Sequence, residues 1–362
     1  MPPLWGPPPA PALFSLIAVC LAIVAPVGGA QTSDDRTHPF LSQQALNSEA
    51  RSELRRGGAT SAMVDSTRPH ELAAFGSVRL SASPADVASA ALDIERFGRS
   101  AHVTAIGRFS SPPRLSDLAA LTLDDDDLAS LRSCRVGRCG VKLTAGMIDR
   151  LRVAVAWDAP DWKARASETL RELLLQHVTR YLASGASGLD DVADKPHPVG
   201  AAAETGELLL ANSYLHAAAP ELLAHVGPEA RPLGEARHVL YWTLERFGYK
   251  PTLTVTDLTV YAPDTNTSYL LTTQVFASHY IESAVSLTVA AADPPGVVPG
   301  TTLLMFLGRS RVDALRGGFP WLARLSASRQ VRQRLEADLL HRKALVERPA
   351  AARFPGHERR LP

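Results

Sequence analysis

The sequence predicts an α+β protein: an antiparallel meander sheet followed by a long C-terminal helix, with a helical insertion ahead of the meander. Three observations carry this. The segments "KPTLTVTDLTVYAP", "TSYLLTTQVFASHY", "ESAVSLTVAAAD" and "GTTLLMFLGRSR" are rich in Thr, Val, Leu and Tyr and alternate in character every second residue. The links between them are too short for parallel crossovers, so the four segments form a meander. After them, "FPWLARLSASRQVRQRLEADLLHRKALVE" places Leu325, Val331, Leu335, Leu339 and Val346 on one helical face, following Gly317-Gly318. The stretch 144–248 has mainly helical spacing.

In chain order, the start carries an apolar run from Ala12 to Val27 followed by Gly28-Gly29-Ala30. It reads as a secretory signal over 1–30, cleaved after Ala30, with an uncleaved anchor as the alternative. The run is shorter than the roughly 20 residues a bilayer span needs. Cys20 is a poor lipoprotein cysteine, because Val19 precedes it. No other stretch reaches spanning length, so the mature protein is expected in the periplasm or outside the cell, with no stable transmembrane domain.

Residues 31–70 read as a polar leader with one amphipathic helix, "PFLSQQALNSEARSELRRGG", ended by Gly57-Gly58. Residues 71–348 then form a single domain, whose helical insertion occupies about 144–248; the last residues, 349–362, read as a disordered tail. Phe75, Val78 and Leu80 suit a strand. Ser83-Pro84 opens a helix whose Val87, Ala91 and Ile94 share a face and which Gly98 stops. "AHVTAIGRFS" is expected to be a second strand, before Pro112-Pro113.

Four consecutive carboxylates, Asp124 to Asp127, suit the first turn of a helix capped by Thr122, where they interact favourably with the helix dipole. They lack the alternation and glycine turn of a calcium loop. Further on, Trp162, Ala166, Leu170, Leu174, Val178 and Leu182 recur every fourth residue as one helical stripe ending at Gly185. "ELLLANSYLHAAAPELLAHVGPEARPLGEARHVLYWTLERFG" reads as two or three shorter helices. His177, His216, His225 and His238 have no metal-binding spacing and read as structural or surface residues.

Charge excludes some functions. Thirty-eight Lys and Arg balance 37 Asp and Glu, a formal +1, so no field argues for a nucleic-acid partner. P-loop, G-x-G-x-x-G, H-E-x-x-H and G-x-S-x-G motifs are absent, and no cofactor or metal is expected. After signal removal Cys134 and Cys139 are the whole thiol complement. The haem reading needs a His where Gly140 stands, and the zinc reading needs two further ligands. An oxidising compartment favours a Cys134–Cys139 disulfide that pins a local loop, with a redox-active pair between Arg135 and Arg138 as the alternative.

Three sets of residues are candidate ligand contacts. His279 and Asp257 make an acid/base pair if they face one cavity. Arg309 and Arg311, with Arg316, stand before a glycine pair and a helix start, where a phosphate or carboxylate headgroup can dock. Trp242, with Tyr241, Phe247 and Tyr249, supplies rings for core or for a ligand wall.

The element order over 72–110 and 249–347 resembles the START-like helix-grip fold, with some hundred mostly helical residues added in the middle. That resemblance implies a curved sheet wrapped around the last helix and an apolar cavity between them. "CRVGRCGVKL", "YWTLERFG" with "KP" beyond it, and "ASHY" are similar to an uncharacterised family of exported bacterial proteins, which supplies no activity. The expected function is exported, non-catalytic binding of an apolar or lipid-like small molecule. The alternatives are a hydrolase or other acid/base enzyme on the same cavity, and an envelope protein–protein interaction module working through an apolar patch on 144–240.

Overall fold

The computed structural model describes residues 47–66, 68–227, 231–247, 249–293, 300–316 and 320–348, without the side chains of 247 and 320–323. The expected signal, the start of the polar leader, the Gly317-Gly318 pair, the ring of Phe247 and the 349–362 tail lie outside the described residues.

The N-terminal elements are α1 (Ser48–Arg55), β1 (Ala59–Val64), β2 (Glu71–Leu80), α2 (Pro84–Leu92), α3 (Ile94–Phe97) and β3 (Val103–Arg108). Ser83 caps α2 as its sequence predicts: its hydroxyl accepts from the Asp86 N–H at 3.1 Å, and the Asp86 carboxylate accepts from the Ser83 N–H at 3.0 Å. Strand β1 was not expected, because "ATSAMV" lacks the β-branched density of a strand. It forms as the edge partner of β2.

The insertion supplies α4 (Asp125–Ser133), α5 (Ala145–Ala154), α6 (Trp162–Ser184), α7 (Ala201–Leu210), α8 (Ser213–Ala218) and α9 (Pro220–Val226). The cap of α4 is Asp124, not Thr122; its carboxylate accepts from the Asp127 N–H at 2.7 Å. On α6 the expected stripe drifts. Each four-residue step overshoots a turn by about 40°, so Leu182 ends up exposed while His177 and Tyr181 are buried beside Leu174 and Val178.

The helical reading then fails at "HVLYWTLERF", which is strand β4 (Arg237–Phe247). A strand apolar on both faces carries no alternation to tell it from a buried helix. Leu240, Trp242 and Leu244 pack to one side of it and Val239 and Tyr241 to the other. The meander therefore has five strands: β4, β5 (Lys250–Tyr261), β6 (Thr267–Ala277), β7 (Ile281–Ala292) and β8 (Thr302–Val312). One open eight-stranded sheet results, in the order β1-β2-β8-β7-β6-β5-β4-β3, antiparallel throughout.

The insertion covers one face of this sheet. Leu170, Leu174 and Val178 of α6 pack with Trp242, Leu253 and Val255, while Leu208, Leu215 and Leu222 pack with Leu271, Leu287 and Met305. The other face receives α2, α3 and the terminal helix α10 (Pro320–Val346), whose Leu335, Leu339 and Val346 are buried against Ala74, Val78 and Leu80. Leu325, expected on the same face, is 68% exposed. Gly76 permits the crossing, since a Cβ there would meet Leu335 Cδ2 and Leu339 Cδ1 at 2.8 Å. The sheet curls toward α10. Strand β4 stands five positions from β2, about 24 Å along a flat sheet. Even so, Tyr241 of β4 feels the charge of Arg342, and Glu245 feels those of Asp338 and Arg334, all on α10.

Candidate functional site

Among the places on the described chain that combine access with polar chemistry, two involve strands β4 and β5. The first is the middle of the face that carries α10. Beyond the apolar contacts of α2 and α10, the pleat brings Tyr241, Thr256, Gln274, Thr272, Ser286 and Ala284 onto this face, with Gly308, Ser310 and Phe306 of β8. All nine are half-buried, while nearly every residue on the opposite side of these strands is fully buried. The patch is floored with hydroxyls: Thr272 and Ser286 share a 2.6 Å hydrogen bond, and Tyr241 bonds Thr256. At its β4 margin, Thr243 donates to Glu245 at 2.7 Å. Burial raises the Tyr241 phenol to about 12, with the Glu245 carboxylate acting in the same direction. Burial also raises the Glu245 carboxyl, against the hydrogen bond from Thr243.

The second place is a cleft of about 390 Å³ on the insertion side, bordered by Arg108, Ser110, Asp117, His238 and Asp257. Asp257 is buried and accepts from the Tyr181 hydroxyl at 3.0 Å. Both of its oxygens lie 3.4 Å from His238 Nδ1. His238 Nε2 in turn faces His225 Nε2 at 2.8 Å, and His225 Nδ1 lies 2.6 Å from the Arg231 carbonyl. The hydrogen bond to Asp257 raises the His238 pKa, outweighing partial burial.

The expected candidates separate. His279 and Asp257 do not meet. His279 is buried in the tight turn between β6 and β7, and its Nε2 lies 2.9 and 3.0 Å from the oxygens of Asp127, which Lys250 Nζ also approaches at 3.3 Å. Asp127 is thus more than a first-turn carboxylate: it ties α4 to the meander. Arg309 and Arg311 carry no free charge for a headgroup. Arg309 pairs with Glu71 at 2.6 Å; Arg311, 3% exposed, pairs with Glu204 and with Glu207 at 2.7 Å; Arg316 pairs with Glu282 at 2.7 Å. Trp242 is core, 1% exposed, with its indole N–H donating to the Asp117 carbonyl at 2.9 Å. It lies over Gly107, where a Cβ would meet the indole at 2.7 Å. Tyr249 is fully exposed.

Cys134 and Cys139 are at disulfide-bonding distance, with Cα atoms 4.4 Å apart. The loop between them closes through Arg135 and Arg138, and its Gly137 and Cys139 N–H groups donate to the Ala193 and Asp194 carbonyls. No helix among the described residues is long and apolar enough to cross a membrane.

Sequence reasoning named the space between the sheet and the terminal helix, and Asp257, but missed most of the other residues of both places. The hydroxyl floor had a signal in "TLTVTDLTV", where Thr252, Thr254 and Thr256 alternate with apolar residues. The His225–His238 contact had none, since it depends on how α9 docks against β4. No protein-family model and no curated protein matches this chain.

Proposed function

We propose that this protein binds a small amphipathic, lipid-like molecule non-catalytically between the curled sheet and α10, in the START-like manner that its element order resembles. One observation carries the reading: a patch of half-buried small and hydroxyl side chains lies in the middle of a sheet face whose flanks are packed shut. A half-buried patch spanning Tyr241 to Gly308 suits a guest whose apolar body lies on Phe306 and Ala284. The guest's polar group would take hydrogen bonds from Thr256, Thr272, Gln274 and Ser286. The hydroxyls shift the expected guest from a plain apolar chain to one bearing oxygen or nitrogen. With the apolar start read as a cleaved signal, the working compartment is the periplasm or the cell exterior.

Native mass spectrometry of the full chain purified from its own envelope, followed by solvent extraction, tests this. A small molecule should co-purify and be lost in Ser286→Trp, which fills the patch. An empty protein across several preparations, or undiminished capture by Ser286→Trp, overturns the reading.

A further inference from the structure

We propose that the joint between the insertion and the meander holds an internal hydration site, a chain of ordered water molecules running from Lys142 to His177. The site is a small cavity walled by His177 of α6, Thr205 of α7, Lys142 and Thr144 ahead of α5, and Glu282 of β7. Both ends of the chain are deeply buried: Lys142 and His177 are each 3% exposed. Each also keeps a polar atom, Lys142 Nζ and His177 Nδ1, that makes no hydrogen bond to the described residues. A buried polar atom left dry forfeits its hydration with nothing in return, so two such atoms on one cavity wall call for a guest that bonds both.

Hydrogen-bond polarity decides which guest fits. The Val275 carbonyl only accepts, so His177 Nε2, 2.9 Å away, carries the hydrogen. Burial lowers the His177 pKa and so favours the neutral ring, which leaves Nδ1 a lone pair in need of a donor. Lys142 has the opposite need. Its ammonium has three N–H groups, and the two carboxylates beside it, Asp313 Oδ1 at 3.0 Å and Asp194 Oδ2 at 3.8 Å, leave at least one of them over. Water answers both, accepting at the lysine end and donating at the histidine end, so every molecule in the chain points the same way. A cation would meet the ammonium, an anion would meet Glu282 and the Nδ1 lone pair, and an apolar guest would leave both ends dry. Size agrees with water. The centre of a water molecule can range over about 30 Å³ in this cavity, which is room for about two of them. The hydroxyls of Thr144 and Thr205 on the same wall offer the further partners that a buried water needs.

Oxygen-17 relaxation dispersion of the full chain, which counts waters held inside a protein for longer than it tumbles, joined to a high-resolution crystal structure, tests this. The crystal should show water within hydrogen-bond reach of His177 Nδ1 and of Lys142 Nζ. Lys142→Met and His177→Leu present no hydrogen-bonding nitrogen at the two ends, and each should lower the count of long-lived waters by about one or two. A crystal in which other buried waters are ordered while these two nitrogens touch none overturns the proposal without recourse to a variant. A water count that both variants leave unchanged overturns it as well.

Discussion

The two faces of the sheet are built from the same strands and end in opposite states. On the insertion side Leu271, Val285, Leu287 and Met305 are buried under α7 to α9, and the rim is closed by ion pairs around Arg311. On the α10 side the neighbouring residues Thr272, Ala284, Ser286 and Phe306 stay half-buried. Residues one position apart in the chain are thus fully buried on one face and half-buried on the other. The helical insertion, a departure from a plain grip arrangement, docks outside the curl, on the face opposite α2, α3 and α10.

The sharpest way to break this contrast is to remove Arg311. Arg311→Ala leaves the buried Glu71 and its neighbours Glu204 and Glu207 without their shared cation. It should cost about 3–5 kcal/mol in denaturant unfolding. A small loss would mean that the remaining pairs of Arg309 with Glu71, Arg316 with Glu204 and Arg68 with Glu207, together with the apolar contacts, hold the insertion without Arg311.

Next comes a pair of adjacent residues. Leu287→Ala on the closed face should cost about 2–5 kcal/mol. Ser286→Ala on the open face should cost about 1 kcal/mol, the worth of its bond to Thr272. Ligand capture should show the reverse order, with Ser286→Ala impaired and any folded Leu287→Ala unaffected. Equal stability losses would show that both faces are packed alike.

The smallest effect is in pH, and it has opposite signs on the two faces. His177 on the closed face donates through Nε2 to the Val275 carbonyl at 2.9 Å, and burial lowers its pKa below the ordinary 6.5. Its neutral form is favoured by folding, so stability falls as pH drops below 6.5 toward the folded value. Glu245 at the open face is raised above 4.5 by burial. Its contribution is complete below 4.5 and is lost as pH rises through the folded value. His177→Gln should flatten the acid limb of the stability curve, and Glu245→Gln the limb above 4.5. Identical curves for wild type and either variant would remove that group from the balance.

Much of the fold could be read from the sequence because its determinants are local. The Ser83 cap needs only Asp86, three residues on, and the four strands after Lys250 announce themselves by period. Strand β4 was illegible because its two apolar faces erase that period, and β1 because an edge strand of Ala and Ser is specified by its partner. The site was less legible. Asp257 and His279 are each half of a carboxylate–imidazole contact, but their partners, His238 and Asp127, lie 19 and 152 residues away. Nothing in strand or helix spacing encodes such distances.

By itself, then, the sequence determined the meander, the terminal helix, the capped α2 and the close approach of two cysteines five positions apart. All four depend on dihedral preference, alternation or short chain span. Only the tertiary structure decided which carboxylate meets which histidine, that three arginines are neutralised, and which face of the sheet stays open. Those outcomes depend on where the helices of the insertion and α10 come to rest, and docking is governed by summed surface contacts between elements far apart in the chain.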